Sequence, residues 1–137
     1  MTAATIHPVL TAEILHDSAR ASGPALRAFT AIADDWGLPP GRRMAILGLP
    51  SSTYYAYLKR ADRARLSADT LERISYVLGI YKALNILLPR AEARREWLRQ
   101  PNTAPGFNGA VPLDIISAGR VADLYRVRRY LDGERGW

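Results

Sequence analysis

Ser51, Ser52, Thr53 and Tyr54 stand just after a Gly48-Leu49-Pro50 turn, with Arg42 and Arg43 ahead of it and Lys59 and Arg60 behind. Hydroxyls framed by fixed positive charge suit a polyanion. The cations can neutralise phosphates and set the register, while the small polar groups face base edges. These eight residues are the candidate DNA-binding set. A second concentration lies near the C-terminus: Arg120, Arg126, Arg128, Arg129 and Tyr130, then Glu134, Arg135 and Trp137. Arginine and tyrosine combine large area with directed hydrogen bonds and are enriched at interface hot spots, so by residue type this set suits either a protein partner or a solvated basic face.

Other chemistries find few candidates. The chain has no cysteine, which excludes disulfides and a thiolate nucleophile. His7 and His16 lie far from any carboxylate cluster, so no metal site is expected. No glycine loop suits a phosphate, and neither catalysis nor a cofactor is expected.

The elements that must position these residues are all helical, with no strand pattern and no internal repeat. Residues 1–22 read as a mobile arm, with at most a helical turn around Ala12–Ser18. Pro24 suits a first helical position, and Leu26, Phe29, Ile32 and Ala33 follow at helical spacing. A short helix is expected from Pro40 to Leu47, closed by Gly48, and another from Thr53 to Arg60, capped by Ser51 or Ser52. Residues 61–66 are a charged link. Ser67 caps a long helix, Ala68–Leu88, whose second half is apolar on nearly all sides; it is expected to be the central helix, a dimer contact, or both. Shorter helices follow at Ala91–Leu98 and Pro112–Ile116, separated by a loop rich in proline and glycine. Val121, Leu124, Val127 and Leu131 define a last helix ending at Gly133. The expected organisation is an arm (1–22), a helix-turn-helix domain (23–66), and the long helix with a C-terminal helical domain (67–137).

The 137 residues carry a formal net charge of +6. Residues 36–100 hold twelve basic and five acidic side chains, whereas the flanking segments are near balance. A positive field so placed favours DNA as a partner. No apolar stretch reaches membrane-spanning length and no leader pattern is visible, so a cytoplasmic protein is expected.

The segment Arg43–Arg60, with Gly48, Leu49, Ser51, Ser52, Thr53, Tyr54 and Tyr55, resembles the helix-turn-helix of Xre-type repressors and of a group of transposases. It lacks Asn, Gln or Arg in the first turn of its second helix, the residues best suited to bidentate base contacts. Downstream, Trp97, Pro101-Asn102, Phe107-Asn108-Gly109, Pro112-Leu113-Asp114-Ile115-Ile116, Gly119, Leu124 and Leu131 keep an order similar to the Xre/MbcA/ParS-like toxin-binding domain. The joint resemblance covers about residues 24–137. It implies the antitoxin of a type II toxin–antitoxin pair, acting on an NAD-consuming RES-domain toxin. It further implies that the antitoxin blocks the toxin's active site and represses their shared operon. The last helix and tail would then be the toxin-facing set, with Trp137 reaching toward the NAD pocket. The alternative is a stand-alone helix-turn-helix regulator that uses its C-terminal half only to dimerise.

Overall fold

The computed structural model describes residues 18–136. Seven α-helices and one 3-10 turn make up the described chain, and no strand occurs among the described residues. They are α1 (Ser18–Asp35), α2 (Pro40–Leu47), α3 (Ser51–Lys59), a 3-10 turn (Ala61–Arg63), α4 (Ala68–Leu87), α5 (Ala91–Arg99), α6 (Pro112–Ile116) and α7 (Val121–Glu134). The fold is the all-α one that the periodicity predicts. None of these helices is long and apolar enough to cross a membrane.

Helix α4 is the axis of the molecule. It packs against α1 and α2 on the N-terminal side and α7 on the other, burying Leu71, Ile74, Val77, Leu78, Ile80, Ala83 and Leu84. Phe29 and Ile32 of α1, Ile46 and Leu47 of α2, and Leu124 and Leu131 of α7 close the same core. Each such side chain contributes about 1.5–3 kcal/mol when fully buried. The expected burial of the second half of α4 on all sides holds only in part. Leu87 is half-buried and Ile86 is 52% exposed.

Local signals set most boundaries. Gly48 takes φ 69°, closing α2 with its N–H on the Met44 carbonyl at 2.8 Å. The Ser67 hydroxyl accepts from the Thr70 N–H at 3.1 Å and caps α4. Thr70 in turn donates to the buried Leu47 carbonyl at 2.9 Å, tying the start of α4 to the end of α2. Asn102 pinches the loop after α5: its side-chain oxygen accepts from Ala104 N–H at 2.9 Å.

Three expectations need correction. Helix α1 begins at Ser18, so residues 18–22 are not part of an arm, and Pro24 lies inside the helix. The missing N–H at Pro24 is outweighed by tertiary burial. Ala21 and Ser22 are fully buried, and the Ser22 hydroxyl accepts from Leu66 N–H at 2.8 Å. Residues 1–17, including the turn expected around Ala12, lie outside the described residues. Second, α3 has no hydroxyl cap; Pro50 holds the cap position. Third, α7 runs through Gly133 to Glu134, and it is Gly136 that turns left-handed, at φ 84°.

Candidate functional site

Helices α2 and α3 meet at the Gly48-Leu49-Pro50 turn. Ser51 and Ser52 are exposed at the head of α3, Thr53 is half-buried, and Lys59 and Arg60 are exposed at its far end. Arg60 lies 3.5 Å from Asp62, and its guanidinium holds the Asp62 carboxyl below the ordinary carboxylate range. Ser51, Ser52, Lys59 and Arg60 are thus all exposed to solvent.

Two of the candidate DNA contacts are turned inward. Tyr54 is a core residue, 3% exposed. The Arg43 side chain, 16% exposed, donates to the Leu38 carbonyl at 2.7 Å and pairs with Asp34 at 2.9 Å. Arg43 therefore splints α2 onto the end of α1. Arg42 is half-buried and pairs with Asp114 of α6 at 2.8 Å. Tyr55, outside the candidate set, is 46% exposed and packs edge-on against Tyr54 with ring centroids 5.2 Å apart. The helical period carried the signal: once Tyr54 faces inward, its neighbour is rotated about 100° away from the core.

Helix α7 keeps Leu124, Val127 and Leu131 on α4 and turns Tyr125, Arg126 and Arg129 outward. Its first turn is locked by Asp123, 7% exposed, which accepts from Arg120 Nε at 2.6 Å and Arg126 Nη2 at 2.9 Å. Arg128 is half-buried. It lies over the Tyr76 ring, 6.0 Å from the centroid, and sits 3.6 Å from Asp132. Space for it comes from Gly79 in the middle of α4: a Cβ there would fall 2.7 Å from Arg128 Cδ. Tyr76, Tyr125, Arg128, Arg129, Asp132 and Gly133 line a cleft of about 510 Å³ between α4 and α7.

The remaining partner-facing candidates divide. Glu134 is exposed. Tyr130 is half-buried and stacks edge-on against Phe107 at 5.0 Å, which meets Trp97 at 5.9 Å; burial, then Glu134, pushes its phenol above the ordinary value. The Arg135 side chain is only 7% exposed and lies 3.8 Å from Asp132. Tyr130 thus ties α7 to the loop after α5, and Arg135 folds back on the last turn of α7. Trp137 lies outside the described residues. Tyr76, Gly79 and Tyr125 were not singled out by sequence. A glycine inside a long apolar helix, where it costs about 1 kcal/mol against alanine, was the available clue.

Arginines join the two surfaces. Arg73 of α4 pairs with Asp69 at 2.9 Å and donates to the carbonyls of Gly119 at 2.8 Å and Ile46 at 3.3 Å. Gly119, at φ 84°, lets the start of α7 approach α2: a Cβ there would lie 3.1 Å from the Ala45 carbonyl oxygen. Arg99 donates to the Trp36 carbonyl. Among the described residues no group of His, Cys, Asp or Glu is assembled to hold a metal ion.

Comparison with known proteins gives both halves an identity. Residues 16–79 match the antitoxin Xre-like helix-turn-helix domain. Residues 83–136 match the antitoxin Xre/MbcA/ParS C-terminal toxin-binding domain. Helix α4 bridges the two matches. The chain is also 43% identical over 129 residues to the uncharacterized protein y4oB of Sinorhizobium fredii (strain NBRC 101917 / NGR234), covering 94% of this chain and 97% of that protein. With a helix-turn-helix and a toxin-binding domain clamped around one shared helix, this chain belongs to the Xre/MbcA/ParS family of antitoxins.

Proposed function

We propose that this antitoxin binds an NAD-consuming RES-domain toxin through α7 and the C-terminal tail, occludes the toxin's active site, and represses their shared operon through α2 and α3. It acts in the cytoplasm, where operator and NAD both lie, and it acts by occlusion rather than by chemistry of its own. The observation that carries this reading is the outward face of α7. Tyr125, Arg126 and Arg129, all within the segment that matches a toxin-binding domain, are exposed beside a cleft that Tyr125 shares with Tyr76 of α4. Such a face supplies the aromatic and guanidinium anchors that carry interface energy. On the DNA side, Ser51, Ser52, Lys59 and Arg60 support operator binding. Self-association through α4 is part of the proposal, because Ile86 leaves an apolar edge uncovered there.

Co-expression with the toxin encoded beside this gene, followed by measurement of NAD consumption by the purified pair, tests the reading. Inhibition by the full chain, partly lost on deleting residues 134–137 while binding persists, is the expected result. Full inhibition after the deletion would assign the block to the body of the domain. No binding of the toxin at all would leave the stand-alone regulator as the better account.

A further inference from the structure

We propose that Tyr55 is the residue by which α3 discriminates between DNA sequences, its ring meeting the 5-methyl group of a thymine in the major groove. This rests on the DNA-binding reading of α3 and adds the base and the atom that are read. Helix α3 contains no Asn, Gln or Arg between Ser51 and Lys59. It therefore offers none of the forked side chains that recognise guanine or adenine by two hydrogen bonds. Besides Ser51 and Ala56, it turns outward Ser52, Tyr55, Leu58 and Lys59; Leu58 borders a cleft against Leu26, Arg27 and Thr30 of α1, which leaves Ser52, Tyr55 and Lys59 to share the other exposed face. The serine hydroxyls can meet several base edges and carry little discrimination, and Lys59 suits a phosphate. Tyr55 is the large group left on that face.

Its ring is held for the task. Tyr54 is anchored in the core at 3% exposure, and Tyr55 packs against it edge-on, at 5.2 Å and 68°. The outer part of the Tyr55 ring remains 46% exposed at a surface flanked by the exposed cations Lys59, Arg60 and Arg63. That flank favours a polyanion over a second copy of the same basic surface. In the major groove the thymine methyl is the apolar feature on offer, and an aromatic ring is a fitting partner for it. Burying one such group contributes about 0.8 kcal/mol, which is about a fourfold change in affinity.

The experiment needs only this chain and DNA. The full-length protein selects from a random duplex library, and each thymine of the preferred duplex is then replaced by deoxyuridine, which removes the methyl alone. Wild type and Tyr55→Phe should each lose about fourfold in affinity at one thymine per bound site. Tyr55→Ala should bind the thymine and deoxyuridine duplexes equally, and Lys59→Ala should weaken both alike. Wild-type binding that is indifferent to every deoxyuridine replacement, or a Tyr55→Ala variant that keeps the wild-type ratio, overturns the assignment of Tyr55. Failure of the wild type to bind any duplex overturns the DNA reading of α3 itself, which is a separate result.

Discussion

Gly79 shows how one residue can be kept for a neighbour's sake. In the middle of α4 it forgoes about 1 kcal/mol of helix propensity relative to alanine, yet its missing Cβ is what lets Arg128 lie across the helix toward Tyr76. Gly79→Ala should therefore leave thermal stability within about 1 kcal/mol of wild type, as helix gain offsets lost packing. Toxin affinity should still fall about tenfold, roughly one good hydrogen-bonded contact. Melting curves and titration calorimetry separate the two effects. The tyrosines make a pH prediction. Burial raises the folded-state phenols of Tyr76 and Tyr130 above the ordinary tyrosine value. Their contribution to stability is full below that value and is lost as pH rises through the higher folded one. A Tyr76→Phe, Tyr130→Phe variant should lose less stability than wild type as pH rises through and beyond the ordinary tyrosine range, measured by urea midpoints. Equal losses would remove these phenols from the account.

At the scale of elements, punctuation made the fold legible. Pro40, Gly48, Ser67, Pro89 and Pro112 mark helix ends in the sequence, and the structure places boundaries at each within a residue or two. Pro24 misled because its preference for a first helical turn is local, whereas the burial of Ala21 and Ser22 against the link is tertiary. The site was less legible for the same reason. Type and charge proposed Arg43, Tyr54, Tyr130 and Arg135 as surface groups, but their long side chains found partners inside the fold. Arg73 shows what such partners do. Its bonds to Gly119 and Ile46 fasten α7 and α2 to α4, and Arg73→Met should cost about 2–3 kcal/mol. That loss corresponds to a melting temperature lower by roughly 10 °C. A change under about 2 °C would mean the carbonyls are satisfied without it.

For the whole molecule, one helix serves two surfaces. Helix α4 carries the helix-turn-helix on one side and α7 on the other, and Arg42–Asp114 and Arg73–Gly119 close the join. A protein so built holds the groups proposed to meet DNA and toxin on one shared helix, and the proposed self-association would use its exposed edge at Ile86. Ile86→Lys should shift light scattering toward the monomer without lowering the melting temperature. An unchanged oligomeric state would place the dimer contact elsewhere. The central claim is that the outward face of α7 silences the toxin. It is tested most directly by following NAD consumption by the purified RES-domain toxin proposed as its partner, with wild type and with an Arg126→Glu, Arg129→Glu variant shown by circular dichroism to be folded. Reversing two exposed interface charges should cost several kcal/mol and leave NAD consumption running at antitoxin concentrations where wild type stops it. Complete inhibition by the folded variant, at the same concentration as wild type, would contradict the account.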